Sequence, residues 1–233
     1  MTTPPALGAA LDDLYNAFAR YPLASKIEGC PHCVDASRES VLHSKRLRDL
    51  DSKDLGFFAF KAMTTFGAVE DFKHFLPRLL ELLTVEPFLG AADLRVVLGK
   101  LVHGRWRGWI PAEQLAVERF LLALFEQAAA EPESLAVGVP EIVEAIHGMG
   151  TDSEGISLRP FLDVLALHTD ALVAYVNDYS EKPPEVVAWL VGGGVRSQLE
   201  RVFFERASAP GASEISEAVN AIDRLAQGRR LSG

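Results

Sequence analysis

Two cysteines separated by two residues, in the run Gly29-Cys30-Pro31-His32-Cys33, are the side chains best suited to chemistry in this chain. Thiolate sulfur is both a nucleophile and a soft metal ligand, and a Cys-x-x-Cys turn brings two such atoms towards one centre. Zinc in a structural site wants four tetrahedral ligands, so two more would have to come from elsewhere. His43 and His74 are the candidates, His32 being awkwardly placed between the cysteines. Their spacings follow no standard zinc module, and the plainer alternative is two small buried cysteines around a turn-forming Pro31. Redox cycling is the other chemistry: a helix start near Cys30 and the adjacent His32 would both favour thiolate.

A second cluster, His103-Gly104-Arg105-Trp106-Arg107-Gly108-Trp109, interleaves cations with aromatic rings. Arg105, Trp106, Arg107 and Trp109 could grip an anionic partner or stack on planar groups, or the tryptophans could be core with the arginines turned outward. Arg78 joins the candidate binding residues, although Glu81, three residues on, could pair with it as a structural ion pair. Glu144-x-x-His147 has the carboxylate–imidazole spacing of di-iron bundles, with Asp71-x-x-His74 as a looser copy, but further carboxylates would be needed. Gly192-Gly193-Gly194 lacks the Gly-Lys-Ser/Thr of a phosphate loop, and no nucleophile elbow, His-Glu-x-x-His or kinase motif is present. Residues Gly150 to Gly155 fail the ligand order of a calcium loop. No catalytic residue is assigned.

The elements that must position these groups are helices. Leu7, Leu11, Leu14, Tyr15 and Phe18 keep three- and four-residue spacing, and Tyr21-Pro22 ends the run. Asp35 or Ser37 is the expected cap of a helix carrying Val41, Leu42, Leu47 and Leu50; Ser52 is the expected cap of the next, which Gly67 stops. Phe72, Phe75, Leu76, Leu79, Leu80 and Leu83 form the densest stripe, with Pro77 expected to open a helix rather than kink a longer one. Pro111 suits a first helical position. Residues 131–138, with Pro132, Ser134 and Gly138, are the expected subdomain boundary within a single helical domain of 1–233. Thr151-x-x-Glu154 suggests a capping box, and Phe161 to Tyr179 a single long helix with His168 on its apolar side. The tail from Gln227 is expected to fray. About ten helices and no strand describe an all-α, irregular array, with HEAT-like stacked hairpins as one arrangement.

Composition narrows the function. A chain of 233 residues with 48% hydrophobic and 24% charged residues can bury a core without a metal or disulfide. Its 32 acidic and 23 basic residues, a formal net charge of −9, argue against broad nucleic-acid or anionic-membrane binding. The amino terminus has no secretory pattern and no uncharged apolar run reaches the ~18 residues of a membrane span, so a cytoplasmic protein without a membrane partner is expected.

Cys-Pro-His-Cys resembles the active-site tetrapeptide of thioredoxin-like periplasmic disulfide oxidoreductases, but the strand before it and the βαβ frame of that fold are missing here. The Gly29-Cys30-Pro31-x-Cys33 turn, together with Phe75-Leu76-Pro77-Arg78-x-Leu80-Glu81-Leu82, resembles a set of uncharacterised bacterial helical proteins over about the first half of the chain. That resemblance implies a helical fold and a bacterial origin, and no activity. The expected function is a protein-interaction scaffold whose packed helices bind another protein. No cofactor is expected for it. The alternative is a zinc-binding or thiol-redox protein centred on Cys30 and Cys33.

Overall fold

The expected helical spacing becomes helix from Leu7 to Leu231 in the described residues, with turns and loops between. The computed structural model describes residues 6–150, 155–192 and 194–231, with side chains as far as Gly228. Among these residues there are twelve α-helices, two 3-10 turns and no strand. None of the helices is long and apolar enough to cross a membrane. The chain divides into two compact units, Met1–Ile156 and Ser157–Gly233.

The first unit holds α1 (Leu7–Phe18), α2 (Ala36–His43), α3 (Ser52–Lys61), α4 (Val69–Val85), α5 (Leu94–His103), α6 (Pro111–Ala130) and α7 (Val139–His147). Its centre is α4, which packs on α1, α3, α5 and the 3-10 turn Leu47–Asp49. α1 also lies along α6, far from it in sequence, so the unit closes on itself, whereas stacked hairpins touch only their sequence neighbours. The expected boundary at 131–138 lies inside this unit, where the Ala136 N–H donates to the Thr84 carbonyl at 2.9 Å and ties the α6–α7 connection back to α4.

Pro77 does not open a helix; α4 runs through it from Val69 to Val85. Proline has no N–H for the Lys73 carbonyl and crowds the preceding turn, which costs about 3 kcal/mol in a helix interior. Against that stand Phe72, Phe75, Leu76, Leu79, Leu80 and Leu83, all buried on both sides of Pro77. Each contributes about 1.5–3 kcal/mol on burial, so continuing the helix wins.

Two neighbouring helices are shorter than their stripes suggested. α2 stops at His43, and Leu47–Asp49 forms a 3-10 turn in place of its expected last turns. α3 is capped by Asp51 rather than Ser52, Asp51 accepting from Lys53 and Asp54 N–H. It ends at Lys61, well before Gly67, because Met63 turns into the left-handed region at φ 59°. The released segment then bonds to the chain ahead of the cysteines: the Cys30 N–H donates to the Thr65 carbonyl at 2.9 Å and the Gly67 N–H to the Glu28 carbonyl at 2.7 Å.

The second unit contains α8 (Arg159–Leu165), α9 (Thr169–Asn177), α10 (Pro184–Val191), α11 (Gly194–Glu205) and α12 (Ala212–Leu231), with α12 packed on the three helices before it. The expected long helix from Phe161 to Tyr179 is two helices. Between them the N–H groups of Leu167 and His168 bond three residues back, to Val164 and Leu165. The Gln198 amide donates to the freed Ala166 carbonyl at 2.7 Å, and Tyr179 is exposed rather than part of a buried stripe. α12 continues through Gln227 to Leu231. The expected capping box at 151–154 lies outside the described residues, as does the interior of the stretch between Gly150 and Gly155.

Candidate functional site

The thiols sit on a short, well-braced turn. The N–H groups of Cys33 and Val34 both donate to the Cys30 carbonyl at 2.9 Å. Gly29 pairs with Phe66 in an antiparallel bridge, and the Ile27 N–H donates to Glu39 of α2 at 2.8 Å, so the turn is held from before and after. Both thiols are free, Cys30 partly buried and Cys33 exposed. They are therefore not the buried pair that sequence alone allowed.

Their acidities diverge. The backbone N–H of His32 and then the S–H of Cys33 hold the Cys30 thiol below its ordinary range. Cys33, which spends its proton on Cys30 and faces any charge that forms there, is raised. The expected sources of thiolate stabilisation are replaced. The first N–H groups of α2 are occupied by the Asp35 carboxylate, which accepts from Ser37 at 2.9 Å and Arg38 at 3.1 Å, and it is the His32 main chain that acts on the sulfur.

The four-ligand zinc set of Cys30, Cys33, His43 and His74 is not assembled. His43 lies 3.7 Å from Glu39, and Nδ1 of His74 bonds to the Tyr21 carbonyl at 2.8 Å. Among the described residues no three or more His, Cys, Asp or Glu side chains form a group able to hold a metal. The looser pairs are used locally as well: Asp71 accepts from the Ala68 N–H at the start of α4, and Glu144 pairs with Arg95 at 2.7 Å.

The cation–aromatic cluster also separates. Trp106 and Trp109 are buried, the indole of Trp109 donating to the Gly104 carbonyl at 3.0 Å. Arg107 stacks over Trp106 at 4.0 Å and pairs with Glu118 at 2.5 Å, while Arg105 is exposed in a left-handed turn at φ 50°. These four residues therefore do not line one surface groove. Arg78 is internal bracing: its Nε donates to the Leu50 carbonyl at 2.7 Å and a terminal nitrogen to Glu81 at 2.6 Å, where the Tyr15 hydroxyl also donates.

The structure adds a polar cluster that sequence reasoning did not single out. Lys73 of α4 donates to Glu113 of α6 at 2.8 Å and to the Tyr21 hydroxyl at 3.0 Å, and that hydroxyl donates to Glu113 at 2.6 Å. Glu113 is fully buried, and the Lys73 ammonium lies 4.3 Å over the Trp109 ring. Glu113 also stands third in α6, where the helix N-terminus favours negative charge. The one available signal was a lysine inside an otherwise apolar stripe, which requires a buried partner. No family model matches the chain, and neither does any curated protein or solved structure.

Proposed function

We propose that Cys30 and Cys33 form a reversible dithiol couple that exchanges with a disulfide in another protein. The observation that supports it is one braced surface turn presenting two adjacent free thiols of unequal acidity. A low-pKa, accessible thiolate beside a second cysteine is the arrangement thiol exchange needs. Cys30 thiolate attacks one sulfur of the partner's disulfide, giving a mixed disulfide and releasing the other sulfur as a thiolate, which takes up the proton Cys30 gave to solvent. Cys33, losing its proton, then attacks the Cys30 sulfur, and the partner's second sulfur leaves as a thiol. Two thiols here are oxidised to one disulfide while one disulfide of the partner is reduced to two thiols.

The test is equilibration of the intact chain in glutathione buffers of graded ratio, read by mass spectrometry, with zinc content measured on protein purified without chelator. An intramolecular Cys30–Cys33 disulfide is expected, with Cys33→Ser instead trapping glutathione on Cys30. A pair that stays reduced in the most oxidising buffer, or near-stoichiometric zinc, would replace this reading with an inert pair or with a metal site completed by a partner.

A scaffold that binds another protein is the second reading, favoured by Val85 and Phe88, 69% and 59% exposed around the end of α4 and the chain that follows it. Loss of a captured protein on Val85→Asp with Phe88→Ser, at unchanged thiol chemistry, would support it.

A further inference from the structure

A cavity of about 620 Å3 opens in the first unit between α1 with the loop after it, the Leu47–Asp49 turn and the middle of α4. That volume lies within the ~300–1,000 Å3 range of small-molecule sites. Neither cysteine lines it, so it is separate from the thiol couple.

Tyr15, Phe18 and Tyr21 supply three aromatic rings to its lining. Two of them are fixed before any ligand arrives. The Tyr21 hydroxyl is held between Glu113 and Lys73, and its carbonyl accepts from His74 Nδ1 at 2.8 Å. The Tyr15 hydroxyl donates to Glu81 at 2.6 Å. Walls that need no ordering on binding keep the entropic cost of association low.

The charge on the lining selects among ligands. Arg46 is engaged by Asp49 at 2.7 Å and cancels it. Arg48 stacks over the Tyr15 ring at 3.6 Å, and its carboxylate contact among the described residues, to Asp12, is a long 3.4 Å with 54% of the arginine side chain exposed. Within the lining itself, Arg48 is therefore the one positive charge left over once Arg46 and Asp49 cancel. A carbonyl only accepts, so His74 carries a proton on the Nδ1 that faces the Tyr21 carbonyl.

We propose that this cavity binds a small aromatic monocarboxylate, the ring lying between Tyr15, Phe18 and Tyr21 and the carboxylate on Arg48. A single surplus charge matches a monoanion rather than a phosphate dianion, and a guanidinium offers a carboxylate two parallel N–H donors.

The experiment is calorimetric titration of the full chain with 1-naphthoate, with 1-naphthalenemethanol as the neutral counterpart and inorganic phosphate as the bare anion. Saturable one-to-one binding of naphthoate is expected, with the alcohol and the Arg48→Gln variant each weaker by about tenfold or more, the loss of one charge-assisted interaction. Ala19→Phe, at an exposed position lining the cavity, is expected to abolish binding by filling the space while leaving Arg48 in place. The Cys30→Ser, Cys33→Ser double variant is expected to bind as the parent does, which separates this site from the thiol reading. The proposal is overturned if naphthoate gives no saturable heat, if the alcohol binds equally well, or if folded Arg48→Gln and Ala19→Phe proteins, checked by thermal denaturation, bind like the parent.

Discussion

The ammonium of Lys73 lies 2.8 Å from the carboxylate of Glu113, with 10% and 0% of the two side chains exposed. One comes from the second turn of α4 and the other from the first turn of α6, so the pair joins two helices inside the core. Removing either partner leaves a buried charge alone. Lys73→Met and Glu113→Gln are each expected to destabilise the first unit by about 3–5 kcal/mol, and Lys73→Met with Glu113→Leu by less than the sum. Urea denaturation followed by tryptophan fluorescence in a Trp189→Phe background, which leaves only Trp106 and Trp109, measures this.

Alkylation should distinguish the two cysteines by pH. Because Cys30 is held below and Cys33 above the ordinary thiol range, iodoacetamide is expected to label Cys30 first as pH rises from mildly acid values. Cys33→Ala removes the S–H that supports the Cys30 thiolate and should move Cys30 labelling to higher pH. Peptide mass spectrometry over a pH series reads both shifts; simultaneous labelling would remove the basis for treating Cys30 as the attacking thiol.

Tyr15 links alkaline pH to stability. Burial first, and then its hydrogen bond to Glu81, push its phenol well above the ordinary range. In the unfolded chain a tyrosine ionises near pH 10. The stabilisation is therefore complete below about pH 10 and is lost as pH rises further, since the unfolded state releases its proton first. Tyr15→Phe should flatten the alkaline decline in the urea midpoint of the first unit.

Gly56 in α3 faces the backbone of Leu89 and Gly90, and a Cβ there would stand 3.0 Å from Gly90 N and 3.0 Å from the Leu89 carbonyl carbon. Alanine would favour the helix by about 1 kcal/mol, but the obstruction is main chain and cannot rotate away. Gly56→Ala is expected to lower stability by about 1–3 kcal/mol, visible as a reduced thermal midpoint. The same substitution at Gly99, in α5 with open space where its Cβ would go, should be neutral or stabilising.

Much of the fold was legible in side-chain spacing and end signals. The stripe of Leu11, Leu14 and Phe18 predicts α1, Asp35 caps α2, and Pro111 begins α6 as expected. The errors fell where a local signal met a tertiary force. Pro77 reads as a helix start, but a buried stripe on both sides carries α4 through it. The apolar spacing from Phe161 to Tyr179 reads as one helix, while Gln198 from a later helix takes the Ala166 carbonyl where the chain turns.

The candidate site divides along the same line. The sequence by itself determined an all-helical chain, the Cys30-Pro31-His32-Cys33 turn and the cap that follows it, because these depend on residues within a few positions of one another. Packing, by contrast, left Cys30 partly and Cys33 openly exposed, kept the cysteines and histidines from forming a metal-holding group among the described residues, and brought Tyr21, Lys73 and Glu113 together. Lys73 stands 52 residues from Tyr21 and 40 from Glu113. Periodicity shows which face of a helix is apolar; only packing determines which faces meet, and a buried charge finds its partner through that contact.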